Sequence, residues 1–261
     1  MLKVRVIPTL LWKQFGLVKG VGFDSWRRVG SVLPAIKVYN QREVDELVLV
    51  DILAHKTDGE LDFESVDEFG RDCFVPLTVG GGITRIDQVQ NLLRAGADKV
   101  SINTAAYGRP ELVNEIAKRH GAQCVVASID VRANPGGSWQ CFSHAGQCAT
   151  GREARAWARE VEDRGAGEIL VTSIERDGTM QGYDIALIEA IALAVKIPVI
   201  ASGGAGTYQH MVEAVTQGGA SAVAAASMFH FTEQTPAGAK NALAAAGVPV
   251  RKQFVTASEG P

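Results

Sequence analysis

Eight short runs rich in Val, Ile and Leu recur at nearly even spacing along this chain, and helical patterns separate them. Short apolar strands that alternate with helices are typical of parallel βαβ units. Eight such units in 261 residues predict one closed (β/α)8 TIM barrel over residues 1–252. An open, doubly wound sheet is the alternative, but it usually needs fewer strands. The predicted strands are residues 4–10, 46–52, 76–80, 98–103, 123–130, 167–173, 197–202 and 221–226, and helical patterns occupy residues 85–95 and 152–165.

The two halves of the chain resemble each other at an offset of 122 or 123 residues. Matches at one offset predict a barrel made of two similar half-barrels. Residues 253–261 show no periodicity, so we expect a flexible C-terminal tail. Residues 132–151 are predicted to form a long loop after the fifth strand. The matched segments are Glu46–Ile52 with Glu168–Ile174, Val79–Ile83 with Ala201–Ala205, and Gly96–Val100 with Gly219–Val223.

The charge balance limits the classes of partner. With 26 basic and 29 acidic residues the chain carries a net charge of −3, whereas general nucleic-acid binding normally requires a basic surface. No apolar signal segment follows the N-terminal cations. The most apolar helical stretch, residues 185–201, is interrupted by Glu189, Lys196 and Pro198, which is not the pattern of a membrane span. We therefore expect a cytoplasmic protein that binds neither nucleic acid nor a membrane.

The cysteines and histidines show no metal-binding pattern. No two of the four cysteines are separated by only two to four residues, and the histidines lack ligand spacing. We therefore expect no metal site and no cofactor. Cys141 and Cys148 could pair across a hairpin, but reduced thiols are the expectation for a cytosolic protein.

Two glycine clusters follow predicted strands at the end of the barrel where ligands bind, the mouth. Gly80–Gly82 come after the third strand and Gly203–Gly204 after the seventh, and a helix follows each cluster. Bare backbone N–H groups and a helix N-terminus can receive a phosphate there, although a tight βα turn is the alternative for either cluster. The two clusters predict a small-molecule substrate with a phosphate at each end. The predicted phosphate-binding residues are Gly82, Asn103 and Thr104 at one site, and Gly203, Gly204, Ala226 and Ser227 at the other.

Alternation along the strands predicts which charged side chains meet at the opposite end of the barrel, the floor. Side chains two residues apart share a face of a strand. If Asp130 points into the mouth at the end of the fifth strand, the same alternation directs several charged side chains at strand starts into the barrel at the floor. We predict that they form a salt-bridged ring, and solvated strand ends are the alternative. The predicted ring residues are Arg5, Glu46, Lys99 and Glu168.

Asp130 is the strongest acid–base candidate, because catalytic residues in such barrels lie at strand ends. An N-cap role is the alternative for this residue. Asp51 and Asp177 end the second and sixth strands in the same way, and Thr179 follows Asp177 closely. We expect these three residues to support Asp130 at the mouth.

Four motifs of this chain resemble the cyclase subunit family of imidazole glycerol phosphate synthase, and the resemblance runs from Leu2 to about Arg251. The resemblance implies a barrel of two half-barrels and a ligand with two phosphates. It also implies a heterodimer with a glutaminase subunit docked at the barrel floor, from which ammonia passes through the barrel. The motifs are Leu77–Ile83, Ala95–Ala105, Arg176–Thr179 and Ile197–Ala205.

The resemblance also implies roles for individual residues. The four predicted ring residues coincide with the family's ammonia gate, which strengthens the prediction of the ring. Lys19, in the first loop, matches a residue of the family's mouth. The other matches at the mouth are Asp51, Gly82, Asn103, Thr104, Asp130, Asp177, Gly204, Ala226 and Ser227.

One residue of the family's catalytic pair is missing from this chain. The family's cyclase chemistry uses one aspartate at the end of strand one and another at the end of strand five. The second is Asp130, but the first position is Leu11. Losing one partner of an acid–base pair typically costs a factor of about 10²–10⁴ in rate. Leu10–Trp12 and Gly22–Gly30 resemble instead a paralogue branch associated with acetamidino modification of bacterial surface-glycan sugars.

We therefore predict a specialised paralogue that delivers ammonia in acetamidino-sugar (surface polysaccharide) biosynthesis. On this prediction ammonia passage persists, while imidazole-forming cyclisation is very weak. One alternative is a genuine histidine-pathway cyclase, a lyase that uses Asp130 with altered partners. Another is a non-catalytic barrel that binds and activates a glutaminase subunit.

Overall fold

The computed structural model describes residues 2–13, 16–54 and 61–252. Within these residues, twelve β-strands form one sheet, and eight of them close on themselves as a parallel barrel. The strands are β1 (Arg5–Lys13), β2 (Gly16–Val21), β3 (Asp24–Gly30), β4 (Leu47–Asp51), β5 (Leu77–Gly80), β6 (Lys99–Ile102), β7 (Val125–Ala133), β8 (Trp139–Ser143), β9 (Cys148–Glu153), β10 (Glu168–Ser173), β11 (Val199–Ser202) and β12 (Ala222–Ala225).

The barrel strands follow the order β1, β4, β5, β6, β7, β10, β11 and β12. Pairing of β12 with β1, in which Arg5 lies opposite Ala222, closes the barrel. Each of the eight predicted strands is found in it. The prediction of a closed (β/α)8 barrel is confirmed, and the open doubly wound sheet is wrong because no barrel strand is left as an edge within the described residues.

Helices fill the segments between the barrel strands, and several begin at a side-chain cap. Asp62, Asp184, Thr207 and Thr235 each accept a hydrogen bond from a backbone N–H of the first turn that follows. Such caps satisfy donors that the helix itself leaves free. The helices are α1 (Val32–Gln41), α2 (Phe63–Arg71), α3 (Ile86–Arg94), α4 (Thr104–Gly108), α5 (Glu111–His120), α6 (Ala154–Asp163), α7 (Ile185–Ala192), α8 (Tyr208–Thr216), α9 (Ser227–Phe231) and α10 (Pro236–Ala245).

The predicted repeat of two half-barrels is visible in matching details of the backbone. The short helices α4 and α9 each have five residues. The residues before them have nearly the same unusual conformation: Asn103 has φ −125° and ψ −87°, and Ala226 has φ −126° and ψ −69°. Each half also carries an antiparallel hairpin after its first strand, β2–β3 after β1 and β8–β9 after β7.

The prediction of a long loop over residues 132–151 is wrong. Strand β7 continues to Ala133 and pairs with β8, which pairs with β9. Antiparallel pairing satisfies backbone groups that an extended loop would leave to water. In this hairpin Ser143, rather than Cys141, lies opposite Cys148, and all four cysteines are free thiols. The predicted tail, residues 253–261, lies outside the described residues.

Two apolar layers hold the barrel together. The larger lies between the strands and the surrounding helices, and a small one fills the barrel axis. Burial of apolar area stabilises the fold by about 25 cal/mol per Å². None of the helices in the described part of the chain is long and apolar enough to cross a membrane. The axial layer consists of Ile7, Val48, Val126, Leu170, Ile200, Ala222 and Ala224.

Candidate active site at the mouth and ion-pair ring at the floor

The four charged residues predicted for the floor converge into a closed ring. Arg5 lies 2.6 Å from Glu46 and 2.9 Å from Glu168, measured between guanidinium nitrogens and carboxylate oxygens. The ammonium nitrogen of Lys99 lies 3.0 Å from each of the same two carboxylates. Each cation therefore contacts both anions, and the alternative of separately solvated strand ends is wrong.

The ring is buried enough for its charges to depend on one another. Glu46 is 1% exposed, and it also accepts a 2.8 Å hydrogen bond from the hydroxyl of Thr78. Burial lowers the pKa of Arg5, but the carboxylates of Glu168 and Glu46 outweigh this effect, so that its pKa is raised overall. Removing one partner from such a group strands an unpaired charge, which typically costs about 3–5 kcal/mol.

The opposite end of the barrel holds a cavity of about 450 Å³. It lies at the carboxyl ends of the strands, where barrels of this type bind ligands. The structure brings most of the predicted mouth residues together around it. Those that line the cavity are Asp51, Gly82, Asn103, Thr104, Asp130, Asp177, Gly203, Gly204, Ala226 and Ser227.

Asp130 is a buried carboxyl group poised near neutrality. It lies within β7, opposite Thr172 of β10, so the N-cap alternative is wrong. The side-chain amide of Asn103 donates a 2.5 Å hydrogen bond to it. Burial raises the pKa of Asp130 to about 7, with a further contribution from the charge of Asp177, while the hydrogen bonds from Asn103 and Thr172 oppose this shift. A group with such a pKa can act as a general acid or a general base.

Lys19 and Asp177 form a second charged group at the cavity, in which Asp177 is half-buried and lines the cavity while Lys19 is buried behind it. Lys19 is 2% exposed and donates a 2.9 Å hydrogen bond to the backbone carbonyl of Thr9. Burial lowers the pKa of Lys19, and the charge of Asp177 partly offsets this effect. Burial raises the pKa of Asp177, and Lys19 opposes it. Lys19 therefore acts on the cavity through Asp177 and Thr9 rather than by lining it.

Two predicted mouth residues have local structural contacts. The carboxylate of Asp51 accepts hydrogen bonds from the backbone N–H groups of Leu53 and Ala54, at 2.8 and 3.1 Å. Thr179 lies outside the cavity lining, and its hydroxyl donates a 2.7 Å hydrogen bond to the carbonyl of Arg176. Thr179 thus stabilises its own turn, and Asp51 orders the backbone at the end of β4.

Glycine is required at the two predicted phosphate sites because of backbone geometry. Gly82 has φ +66°, and a Cβ there would lie 2.5 Å from the Cβ of Ala54. Gly204 has φ +105°, and a Cβ there would lie 2.2 Å from the carbonyl oxygen of Gly182. Each loop leads into a helix of nine residues, α3 or α8. The tight-turn alternative and the phosphate prediction are therefore both compatible with these glycines.

An apolar part of the cavity lining was not predicted from the sequence. Leu11 lines the cavity as parity predicts, and Phe23 and Trp26 of the first hairpin join it. The signal was present in the aromatic residues of Gly22–Gly30, but only the pairing of β2 with β3 shows that they return over the mouth. Within residues 2–13, 16–54 and 61–252, no three potential ligand side chains cluster closely enough to hold a metal ion.

Comparison with known proteins agrees with this architecture. A family described as "Histidine biosynthesis protein" matches residues 5–235. The chain belongs to this family. A relative from Hyphomonas neptunium (strain ATCC 15444), named "Imidazole glycerol phosphate synthase subunit HisF", is 52% identical over 252 residues, which cover 96% of this chain and 99% of the relative. The resemblance to the HisF cyclase-subunit family is therefore confirmed, whereas these matches do not show the acetamidino-sugar branch.

Proposed function

We propose that this chain is the ammonia-accepting cyclase subunit of a glutamine amidotransferase complex. The observation that carries the proposal is the axial arrangement of the barrel. A closed ion-pair ring lies at the floor, an apolar layer fills the axis, and a cavity containing Asp130 lies at the mouth. Ammonia admitted at the floor would reach the ligand without meeting bulk water. A glutaminase partner would supply the ammonia.

The ring supports a gating role because it is closed. Lys99 contacts both Glu46 and Glu168, so the axis is bridged from side to side. Passage of a molecule through the floor requires at least one of these contacts to break. Neutral ammonia can then cross the apolar layer, where an ion would pay a large desolvation penalty. If binding of the glutaminase partner separated the ion pairs, the release of ammonia by the partner would be coupled to its use at the mouth.

Exposed apolar side chains at the floor support a partner on that face. Leu2, Phe74 and Leu193 are 86%, 80% and 81% exposed. They immediately precede β1 or lie in the loops before β5 and β11, which places them at the same end of the barrel as the ring. They are spread around this face, because β5 and β11 lie on opposite sides of the barrel, so only a partner that covers most of the floor would bury all three. We propose that the glutaminase subunit covers this face as a heterodimer.

The chemistry proposed for the mouth uses two carboxyl groups. Asp130 and Asp177 line one cavity, and burial raises the pKa of both. When ammonia attacks a carbonyl carbon of the ligand, a protonated carboxyl can donate to the carbonyl oxygen. The other, as a carboxylate, can accept the proton that the new nitrogen substituent loses. Asp177 can therefore provide the second acid–base group that Leu11 does not.

Two acceptors for the ammonia remain as candidates. The printed name of the Hyphomonas relative favours the histidine-pathway acceptor, and the pair of mouth carboxyls supports it. Leu11 favours the acetamidino-sugar paralogue, because an apolar residue faces the ligand at the position where the family has an acid. We propose the histidine-pathway cyclase first and the paralogue second. A non-catalytic barrel that activates a glutaminase is the third possibility.

Turnover with ammonium salt separates these candidates. Wild type, Leu11→Asp and Asp130→Asn are given the histidine-pathway bis-phosphate, and Leu11→Asn serves as a control that matches aspartate in size without its acidity. A cyclase should turn over as wild type and lose activity as Asp130→Asn. A gain of about 10²-fold or more in Leu11→Asp alone would favour the paralogue. No turnover in any variant would leave the non-catalytic barrel.

A further inference from the structure

Glu46 and Glu168 occupy equivalent positions in the two half-barrels, 122 residues apart. Each contacts both cations of the floor ring, Arg5 and Lys99. Their surroundings outside these contacts differ, and Glu46 is the more buried, at 1% exposed against 13% for Glu168. The difference indicates which side of the ring can separate.

Inside the barrel, Glu46 has a support that Glu168 lacks. The hydroxyl of Thr78 donates a 2.8 Å hydrogen bond to the carboxylate of Glu46. Thr78 lies on β5, opposite the second residue after Glu46. In the same register on β11, opposite the second residue after Glu168, lies Ile200, which has no group to donate. Among the described residues, the carboxylate of Glu168 has no polar partner besides the two cations of the ring.

Outside the barrel, a buried lysine lies behind Glu46. Lys240 of α10 is 2% exposed, and its ammonium group lies 2.8 Å from the carboxylate of Asp45 and 2.6 Å from the backbone carbonyl of Glu43. The guanidinium of Arg251 lies 3.2 Å from the same carboxylate. Successive side chains of an extended segment point to opposite faces. Asp45 therefore faces α10, while its neighbour Glu46 faces the ring.

Two hydrogen bonds of Asp45 form a clamp between β1 and the start of β4. Its carboxylate accepts a 2.9 Å hydrogen bond from the N–H of Val6, and its own N–H donates a 3.4 Å hydrogen bond to the carbonyl of Val6. Val6 directly follows Arg5 in the chain. Asp45 directly precedes Glu46, so this β1–β4 clamp fixes the distance between the backbones of two ring residues. Lys240 holds the carboxylate of the clamp in place.

The strand that carries Lys99 has the same device. The carboxylate of Asp98, the residue before Lys99, accepts a 2.8 Å hydrogen bond from the N–H of Leu77. The N–H of Asp98 donates a 2.8 Å hydrogen bond to the carbonyl of Leu77 in return. This β5–β6 clamp fixes the strand start of Lys99 just as the β1–β4 clamp fixes that of Glu46.

The strand start that carries Glu168 has no such clamp. The residue before Glu168 is Gly167, whose N–H donates a 3.0 Å hydrogen bond to the carbonyl of Val125. Gly167 has no side chain to accept a hydrogen bond in return. A Cβ there would lie 2.2 Å from the carbonyl oxygen of Ala122, so the close approach of the two backbones excludes any side chain.

We propose that Asp45 and Lys240 are positioning residues that keep Glu46 paired in the floor ring. The ring then opens on its other side, by movement of Glu168 away from the two cations. Both cations keep Glu46 as their partner in this movement, so neither is left as an unpaired charge. The passage of ammonia through this opening rests on the proposed function, whereas the positioning does not.

Amide hydrogen exchange of the whole chain without a partner, followed residue by residue by NMR, tests the positioning. A protected amide exchanges when its surroundings open locally, so its protection factor reports that opening. In wild type, the N–H of Val6 should be at least about tenfold better protected than that of Gly167, since a hydrogen bond to a charged group is the stronger one. Lys240→Met should lower the protection of Val6 at least about tenfold and leave the N–H of Leu77 in the β5–β6 clamp unchanged.

Lys37→Met is the matched control, because Lys37 is 55% exposed and its ion pair with Asp72 lies on the surface. It should leave these protection factors unchanged. Equal protection of Val6 and Gly167 in wild type, or unchanged protection of Val6 in Lys240→Met, would overturn the proposal. An equal loss of protection at the β5–β6 clamp would show a general loosening of the fold and would overturn the positioning role as well.

A second pair of variants tests the moving residue without disturbing Lys240. Ile200→Thr places a hydroxyl where Thr78 stands in the other half-barrel, and Ile200→Val has the same shape without the hydroxyl. The threonine variant should protect Gly167 about tenfold better than the valine variant. Equal protection in the two variants would overturn the assignment of Glu168 as the moving residue.

Turnover of the same two variants in complex with a glutaminase subunit tests the passage of ammonia. Relative to turnover with ammonium salt, Ile200→Thr should slow glutamine-driven turnover more than Ile200→Val does. Equal slowing would overturn passage at Glu168. Absence of glutamine-driven turnover in wild type would refute the proposed function itself, and the exchange data alone would then decide the positioning.

Discussion

Replacing Glu46 by glutamine should destabilise the fold strongly, because it removes one of the two anions of the floor ring. The variant keeps the shape of the side chain and its contact with Thr78, but Arg5 and Lys99 are left with Glu168 alone. Loss of one partner from a buried ion pair costs about 3–5 kcal/mol. Since Arg5 and Lys99 are 23% and 16% exposed and retain Glu168, we expect the lower limit, about 3 kcal/mol.

This loss corresponds to a decrease of about 6–12 °C in Tm, given about 2–4 °C per kcal/mol for a domain of this size. Urea unfolding and calorimetry at pH 7 measure both quantities. Asp67→Asn is the control, because it breaks an exposed helical pair with Arg71 and should cost only about 0.5 kcal/mol. If Glu46→Gln costs no more than this control, the charges of the ring are solvated and the ring cannot act as a gate.

Two further predictions concern the mouth. Burial raises the pKa of Asp130 from its usual 3.8 to about 7, so the unfolded chain releases this proton before the folded one does, and stability falls as pH rises from about 4 to 7. Asp130→Asn should therefore be more stable than wild type at pH 8, by at most about 4 kcal/mol, and this advantage should be gone below pH 4. Urea unfolding at several pH values measures the difference. An equal advantage at pH 4 and pH 8 would refute the raised pKa of Asp130. Gly82→Val and Gly204→Val should each weaken phosphate binding at least about tenfold, since φ is positive and the new side chain collides with its neighbours. Gly30→Ala, where a Cβ has open space, is the control for the phosphate titration, and unchanged binding in both valine variants would count against the two sites.

Local pattern alone predicted the barrel and the direction of its strands. A strand buried on both faces reads as a short apolar run, which is why all eight strands could be located from the sequence. The period of two along a strand then placed Arg5 and Asp130 at opposite ends of the barrel. The ring at the floor follows from this parity, because the starts of parallel strands meet at one end.

The hairpins could not be predicted in the same way. Residues 132–151 contain several glycines and polar residues, which are typical of a loop, yet β8 and β9 continue the sheet by pairing with β7. Pairing between antiparallel strands depends on register with a partner elsewhere in the chain. The apolar part of the cavity lining was not predicted for the same reason, since Trp26 reaches the mouth only because β3 folds back along β2.

The electrostatic character of the mouth was also decided by the tertiary structure. Residue type alone predicted a polar site at the mouth, from Asp130, Asp177 and Lys19, but it did not predict that their pKa values are shifted. Their pKa values move towards neutrality because the barrel buries all three and brings them near one another. Residue type therefore determined which groups can carry a proton at the mouth. Desolvation and proximity determined the pH at which these groups gain or lose that proton. Both effects arise only when distant strands close into a barrel.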